Sequence, residues 1–435
     1  MSPSSTLRMQ IAGQIIFVVL LGIATFFFVK SIKTIRRNIF LGKPFTPDSS
    51  PKFRWKNMGR VALGQSKMVK RPIAGFFHIL IYIGFVLINI EVLEIIIDGI
   101  FGTHRLFQAP LGGLYNTALA FFEILGVLVI IACIVFLIRR DAIKLRRLNM
   151  PEMKGWPKLD GRLILIIELV LMVALFTMNA ADRAFQASSS MPISSWIAPL
   201  FDGFSDTSLH IIERSAWWIH IVGILIFLNY VPYSKHLHIF LAFPNTYYAR
   251  QKPSGVIENN PAITTEVNLM MDPAATPPEG YEAPTSFGVK DVTDLTWKNL
   301  LDAYTCTECG RCTSVCPANQ TGKLLSPRKV MMDTRDRLEE HGKHKDSKAE
   351  DTADAKTLHD YISAEELWAC TTCNACTEAC PVEINPVEII VGMRQYKVME
   401  EAIAPTEINN MLSNLENNGA PWQFSAMDRD KWTKE

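Results

Sequence analysis

The chain has 435 residues, of which 49% are hydrophobic, and its 44 Lys and Arg residues nearly balance its 43 Asp and Glu residues. This length allows roughly two or three domains of about 150 residues each, and the apolar content excludes a disordered chain. The net charge of +1 argues against a nucleic-acid-binding protein. Eight of the nine cysteines lie between Cys306 and Cys380, so we expect a membrane part followed by a metal-binding part.

Five apolar runs occupy the first half of the sequence, and each is near the roughly 20 residues that a helix needs to cross hydrocarbon. They cover about residues 11–29, 73–97, 114–138, 163–181 and 216–233. We therefore predict a five-helix transmembrane bundle over residues 1–245. The first run is predicted to be a retained helix and not a secretory signal peptide, because no small-residue cleavage site follows it.

The loops between these runs differ in charge. Residues 30–71 and 139–158 are rich in Lys and Arg, whereas the loops around His104 and Arg183 carry little positive charge. The positive-inside rule then places the N-terminus outside and the cysteine-rich half in the cytoplasm. We expect a multi-pass protein of the cytoplasmic (inner) membrane, in contact with membrane lipid.

Four histidines lie in or beside the second and fifth runs. His78 is about one and a half turns into the second run, His220 is in the outer part of the fifth, and His236 and His238 close the fifth run on its cytoplasmic side. Ionisable side chains at membrane depth usually face the bundle interior for a reason. Axial ligation of haem b is one such reason, and a hydrogen-bonded packing role or a basic interfacial anchor is the alternative.

Depth along the helix limits which histidines can pair. At 1.5 Å per residue, His220 lies roughly 27 Å from His238, so both cannot ligate the haem of His78. Residues i and i+2 of a helix point about 200° apart. Only one of His236 and His238 is therefore expected to face a porphyrin.

This membrane half resembles the cytochrome b subunits of respiratory nitrate reductase (gamma subunit) and membrane-bound heterodisulfide reductase. The resemblance lies in the number of helices, the N-terminus outside, the positions of the histidines and the presence of a cysteine-rich second half. This resemblance implies that His78 and His238 ligate a haem near the cytoplasmic side. His220 corresponds to one ligand of a distal haem, whose second ligand would fall near Ile88 or Asn89, where this sequence has no histidine. We therefore expect one haem b, with His220 idle, structural or at a quinone site.

A quinone site requires hydrogen-bonding groups at the carbonyl oxygens and a carboxylate route for protons. The candidates are polar residues at or inside the helix ends: Glu91, Glu94, Asp98, Glu123, Glu168, Asn179, Glu213 and Arg214. Interhelical pairing or snorkelling is the alternative. Menaquinone is the favoured quinone if the electron donor has a low potential.

A segment rich in Pro, Thr, Glu and Asn follows the predicted bundle, at residues 246–294. Proline removes backbone donors and fixes extended geometry. We predict an extended linker there, without helical periodicity.

Two cysteine runs with the pattern CxxCxxCxxxCP dominate residues 295–400. In this spacing three thiolates hold one [4Fe-4S] cluster and the fourth reaches the other cluster. Disulfides are disfavoured in a reducing compartment, and structural zinc usually takes two CxxC knuckles or Cys/His mixtures. We predict one cluster on Cys306, Cys309, Cys312 and Cys380, and a second on Cys370, Cys373, Cys376 and Cys316.

The motif sequences CPANQTGKLLSPRKV and AEELWACTTCNACTEACPVEINPVEI closely resemble the dicluster ferredoxin module of the heterodisulfide reductase C subunit and the anaerobic glycerol-3-phosphate dehydrogenase C subunit. The relatives use a further cysteine-rich CCG domain for catalysis or an additional cluster, and this sequence contains none. We therefore expect a separate cytoplasmic redox subunit, either a CCG-domain protein or an electron-transfer flavoprotein. The tail, residues 401–435, is a candidate docking segment.

The predicted fold class is a membrane all-α bundle followed by a small, mainly α-helical dicluster ferredoxin domain. The predicted function is electron transfer between a cytoplasmic partner and the quinone pool through two [4Fe-4S] clusters and haem b, as part of a quinone-linked oxidoreductase complex. The alternative is a haem-free, ferredoxin-bearing anchor for a CCG-domain thiol/disulfide reductase. No nucleic acid is expected as a partner.

Overall fold

The computed structural model is helical throughout the residues that it describes, which are 3–188, 191–253, 255–257, 259–346 and 354–434. No strand is assigned within these ranges, and a single parallel bridge pairs Lys43 with Thr296. The chain divides into two compact units. The first comprises the described residues of 1–39, 49–249 and 304–310, and the second comprises the remainder.

The first unit contains five helices that are long and apolar enough to cross a membrane. They are α1 (Pro3–Ile39), α3 (Pro72–Phe101), α4 (Gly113–Leu137), α5 (Trp156–Ala181) and α6 (Asp206–Tyr230), and α2 (Pro51–Met58) and α7 (His238–Tyr247) are shorter. Helices satisfy their own backbone hydrogen bonds, which is what a segment in lipid requires. The predicted five-helix bundle is confirmed.

Apolar side chains cover both the inside and the outside of this bundle. Phe17, Tyr115, Leu175 and Ile221 belong to one buried cluster between the helices, whereas residues such as Val170 are exposed on its surface. A helix that is hydrophobic all round suits a membrane span, because its outer face meets hydrocarbon.

The chain does not continue as one helix from α6 to His238, so the expectation that His236 and His238 close that helix is wrong. Ser234 has an extended backbone, with φ −113° and ψ 152°, and His236 lies in a single 3₁₀ turn before α7 begins at His238. Pro232 has no backbone N–H with which to continue the helix. Asp160 then accepts hydrogen bonds from the Ser234 hydroxyl at 2.7 Å and the Lys235 amide at 3.1 Å, and these bonds stabilise the new direction of the chain.

The second unit consists of shorter helices. They include α8 (Pro261–Met271), α9 (Trp297–Thr305, shared with the first unit), α10 (Arg311–Val315), α11 (Pro327–Asp346), α12 (Ala364–Ala369), α13 (Ala375–Ala379), α14 (Pro386–Met399) and α15 (Thr406–Asn418). Helix α8 lies in the segment for which an extended linker is expected. Its first turn is set by Pro261 at the N1 position and by the Asn260 side chain, which accepts a hydrogen bond from the Ala262 amide at 3.0 Å.

Candidate redox sites

Three of the four predicted histidines lie together at one end of the bundle. The ring centroids of His78 and His238 are 6.4 Å apart, and those of His236 and His238 are 5.6 Å apart. His236 also packs against the rings of Phe227 and Phe85, at 5.3 and 6.4 Å. The break after α6 makes this grouping possible, because it turns both His236 and His238 back toward α3.

The separation of His78 and His238 suits two axial ligands of one iron. Two metal–imidazole bonds of about 2 Å and two half-widths of a ring amount to roughly 6 Å between ring centres. The observed centroid distance is 6.4 Å. Two imidazoles at this separation are able to bind one metal ion between them.

The hydrogen bonding of His238 favours metal ligation through Nε2. Its Nδ1 lies 3.0 Å from the carbonyl oxygen of Lys235, which fixes the proton on Nδ1. Burial lowers the pKa of His238, and burial together with the neighbouring His238 and His78 rings lowers the pKa of His236 to about 3. Both rings are therefore neutral at physiological pH, which is the form that binds a metal.

His220 lies apart from this group. Its Nδ1 is 2.9 Å from the carbonyl oxygen of Leu171, and its buried Nε2 has no hydrogen-bond partner among the described residues. Ile88 is buried, and the side-chain amide of Asn89 binds the carbonyl of Phe85. The structure brings no second imidazole to His220 within the described chain.

Two of the acidic candidates for a quinone site have local structural partners. Glu94 accepts hydrogen bonds from the Phe107 amide and the Tyr115 hydroxyl, both at 2.8 Å. Glu123 accepts them from the Ile193 and Ser194 amides, at 2.9 and 3.1 Å. These two carboxylates therefore bind the segments that connect the long helices, at Phe107 and at residues 193 and 194, to the bundle.

A third acidic candidate, Glu91, differs from these two. It is 5% exposed, and its Oε1 has no hydrogen-bond partner in the described structure. Of the three acids, Glu91 is therefore the one whose carboxylate is not fully used in holding the fold.

The first cysteine loop has two residues with left-handed backbone conformations. Glu308, between Cys306 and Cys309, has φ +51°, and Gly310 has φ +68°. Alternating right- and left-handed residues turn successive N–H groups toward one point, and such nests surround many iron-sulfur clusters. The loop conformation is therefore suited to an anionic cluster.

The second cysteine loop repeats this backbone. Thr372 has φ +53° and Asn374 has φ +59°, at positions equivalent to Glu308 and Gly310. The Thr372 amide already donates to the Cys370 sulfur at 3.4 Å. Asparagine tolerates the left-handed region better than most side chains, which explains its presence where the first loop has glycine.

The sulfurs of the second run share a neighbourhood with Cys316 of the first. Helices α10 and α13 pack together, and Cys316 and Cys376 are both buried. Burial, with smaller contributions from the thiols of Cys370 and Cys316, raises the pKa of Cys376 to about 12. Burial also raises the pKa of Cys370, again with contributions from Cys316 and Cys373. Cys316 is therefore close enough to the second run to act electrostatically on Cys370 and Cys376.

One other group of side chains could hold a metal ion by distance alone. The ligand atoms of Asp291, His341 and Asp354 all lie within 4.8 Å of one another. Arg337 bridges its two carboxylates at 2.5 and 2.8 Å, so this group is an ion-pair network.

Comparison with known families agrees with the cysteine geometry. A family model described as "4Fe-4S dicluster domain" matches residues 298–381 of this chain. Residues 298–381 are a 4Fe-4S dicluster domain. The iron-sulfur prediction is confirmed, and the domain supports two clusters.

The chain is similar along most of its length to larger curated proteins. It is 31% identical to the "Probable iron-sulfur-binding oxidoreductase FadF" of Bacillus subtilis, over 98% of this chain and 61% of that protein. It is 27% identical to the "EtfAB:quinone oxidoreductase" of Syntrophomonas wolfei, over 86% of this chain and 53% of that protein. The chain thus spans less than two thirds of these relatives. No solved structure gives a significant match.

Shorter matches agree with the predicted resemblance of the dicluster domain. The chain is 34% identical to the C subunit of a CoB-CoM heterodisulfide reductase of Methanosarcina acetivorans, over 24% of this chain and 52% of that protein. A further relative is named a membrane-anchored ferredoxin. The predicted fusion of a membrane domain with a heterodisulfide reductase C-like iron-sulfur domain is confirmed.

Several residues at these sites were missed by sequence reasoning. Asp160 redirects the chain after α6, Lys235 contacts Glu308, and Arg394 donates to the carbonyl of Cys370 at 2.5 Å. A signal for Asp160 existed, because it is an isolated acid beside a basic loop at the start of a membrane span. Nothing in the spacing indicates the partners of Lys235 or Arg394.

Proposed function

We propose that this chain is a membrane electron-transfer subunit that passes electrons between a soluble redox partner and the quinone pool. The observation that carries the proposal is the dicluster domain together with two imidazoles, His78 and His238, at the separation of axial iron ligands. Similarity to a protein named EtfAB:quinone oxidoreductase supports an electron-transfer flavoprotein as the soluble partner. The same similarity supports a quinone as the membrane partner, with menaquinone suited to a low-potential donor.

The cluster ligands in this proposal come from both cysteine runs. The presence of Cys316 beside Cys370 and Cys376 supports the crossed arrangement. The repeated left-handed residues support a nest of N–H donors at each loop. One cluster is assigned to Cys306, Cys309, Cys312 and Cys380, and the other to Cys370, Cys373, Cys376 and Cys316.

His78 and His238 would hold the haem iron. A bound haem b would supply a one-electron carrier within the membrane domain. The Nδ1–H bond of His238 to the Lys235 carbonyl keeps the Nε2 lone pair available and sets the ring orientation. His236, packed between Phe227 and Phe85, is the alternative ligand.

The membrane orientation is also part of the proposal. The basic loops support a cytoplasmic location, at the inner membrane, for the histidine group and the iron-sulfur domain. A soluble flavoprotein and the dicluster domain would then share one compartment. Substrate chemistry would belong to the partner or to another domain.

Composition and spectroscopy test this proposal together. Anaerobically purified protein should contain about eight iron atoms per chain in its clusters, acid-labile sulfide and one haem b. Its haem absorption should disappear in His78→Ala and persist in His210→Ala, because His210 is an exposed histidine of α6. Reduced electron-transfer flavoprotein should then reduce the clusters, the haem and a soluble menaquinone analogue.

Two results would contradict the proposal. Zinc in place of iron would remove the electron carriers altogether. Full cluster content without any haem absorption would favour the haem-free anchor, and co-purification of a CCG-domain protein would then identify its partner.

A further inference from the structure

Lys235 lies between two segments that carry predicted cofactor ligands. Its Nζ is 2.5 Å from the Glu308 carboxylate, and Glu308 stands between Cys306 and Cys309. The next residue along the chain is His236. Glu308 and Lys235 both belong to the first compact unit, which includes residues 304–310.

The contact is buried and has several components. The side chains of Lys235 and Glu308 are 9% and 3% exposed. The Lys235 ammonium also donates to the Pro157 carbonyl at 2.6 Å and lies 3.7 Å from the Asp160 carboxylate. An ammonium with three directed partners has one position, unlike a lysine on a solvated surface.

The backbone of Lys235 serves the histidine segment. Its carbonyl oxygen accepts the Nδ1–H of His238, and its amide donates to Asp160. The side chain and the main chain of one residue are thus fastened to different ligand-bearing segments. A displacement of the Lys235 side chain would be transmitted to the ring of His238.

The backbone and the side chain of Glu308 are both in unfavourable states that neighbouring contacts must offset. Its φ of +51° lies in the left-handed region, which residues other than glycine rarely adopt. The carboxylate is buried, and a buried charge without its partner is strongly unfavourable. The guanidinium of Arg147 holds the next turn of the loop by donating to the Cys309 carbonyl.

We propose that Lys235 is a positioning residue that holds the Cys306–Cys309 loop and the His236–His238 segment in one fixed arrangement. The Lys235–Glu308 pair also sets the charge beside the first cluster. This inference rests on the proposed function, because both segments matter as ligand carriers.

Single substitutions of the two partners should shift the first cluster in opposite directions. Lys235→Gln leaves the Glu308 carboxylate uncompensated, which favours the oxidised cluster and lowers its midpoint potential. Glu308→Gln leaves the ammonium uncompensated and raises that potential. Redox titration of the full-length protein, monitored by electron paramagnetic resonance, measures both shifts. Loosening of the fold alone would not give shifts of opposite sign in the two variants.

Hydrogen–deuterium exchange of amides 304–310 provides a readout that does not depend on cofactor potentials. Each single variant should exchange about ten-fold faster than wild type, since the loop opens more often. Lys235→Arg and the charge swap of Lys235→Glu with Glu308→Lys should return the rate to within about three-fold of wild type. Lys298→Gln is the matched control, because Lys298 forms an equally short buried pair with Asp302 at 2.5 Å.

The outcomes separate this inference from the proposed function. Wild-type potentials and wild-type loop exchange in both single variants would overturn the role of Lys235 and leave the proposed function intact. Absence of haem from the wild type would contradict the proposed function, whereas faster exchange and its rescue by the swap would still support the Lys235–Glu308 link.

Discussion

In both cysteine loops, the second residue after the first cysteine and the residue after the second cysteine have positive φ. These residues are Glu308 and Gly310 in one loop, and Thr372 and Asn374 in the other. The surroundings of the two loops differ. The first loop is held by a charged pair with Lys235 and by Arg147, whereas the second is held by Arg394 and has an exposed cysteine, Cys373.

This difference separates two requirements of an iron-sulfur site. The backbone conformation of the loop is set by the cluster, because a cubane needs the same thiolate spacing and inward N–H groups wherever it binds. The side chains outside the loop differ with the surroundings of each loop. They set the local charge and the solvent access, which tune the reduction potential of the cluster. Two loops with the same backbone conformation can therefore hold clusters with different reduction potentials.

The largest expected effect comes from removing a ligand, and it tests whether the runs exchange their fourth cysteines. Cys316→Ser and Cys376→Ser should each remove the second cluster, leaving about four of about eight iron atoms. The residual electron paramagnetic resonance signal should be the same in both variants, and different from that of Cys306→Ser. Cys133→Ser should retain all the iron, because Cys133 lies in a membrane span. A shared residual signal in Cys316→Ser and Cys306→Ser would refute the crossed arrangement.

A second experiment asks whether each loop depends on its own arginine. Arg394 donates to the Leu367 carbonyl at 2.9 Å and to the Cys370 carbonyl at 2.5 Å. Arg394→Ala removes a charged donor from both carbonyls, which should cost about 1–3 kcal/mol of stability at the second loop. Thermal bleaching of each cluster, resolved by its spectrum, should show an earlier loss of the second.

The matched variant is Arg147→Ala, which removes the donor to the Cys309 carbonyl. It should bring forward the loss of the first cluster instead. If both arginine variants weaken the same cluster, the separate support of the two loops is disproved.

A third experiment exchanges the left-handed residues. Gly310→Val should cost about 1–2 kcal/mol, because a β-branched residue is poorly tolerated at φ +68°. Asn374→Gly should be nearly neutral, since glycine adopts φ +59° freely. Thermal bleaching again measures the effect, and Gly310→Asn is the control that should restore stability. An equal loss in Gly310→Val and Gly310→Asn would mean that size, and not backbone conformation, limits this position.

The smallest expected effect concerns access to the clusters. Cys373 is exposed, whereas Cys306 is 8% exposed. An iron chelator should therefore remove the second cluster a few-fold faster than the first at equal protein concentration. Equal rates would show that side-chain exposure in this loop does not control cluster release.

Much of the membrane domain could be predicted from the sequence, because lipid imposes length and polarity limits that act on each segment separately. The five spans follow directly from those limits. The continuation of α6 to His238 was predicted incorrectly, because Pro232 interrupts helical hydrogen bonding and because helix periodicity takes no account of Asp160. The Asp160 carboxylate belongs to a different helix, and it accepts hydrogen bonds from the Ser234 hydroxyl and the Lys235 amide.

The histidines illustrate the same division. The sequence placed His78, His236 and His238 at similar depth, and rotation along a continuous helix separated the last two. The break after α6 instead brings their ring centroids to 5.6 Å. His220 could be assigned a depth from the sequence, yet its hydrogen bond to Leu171 depends on how α5 and α6 pack.

The sequence by itself determined the five membrane spans, the eight cysteines and their grouping into two runs, because these depend on composition and on spacing along the chain. Only the tertiary structure decided which imidazoles meet, which arginine supports each loop and which lysine contacts Glu308. Those contacts join residues up to 162 positions apart, as between Arg147 and Cys309. Hydrophobic periodicity carries no information about such partners, since directional hydrogen bonds and buried charges form only after the helices have packed.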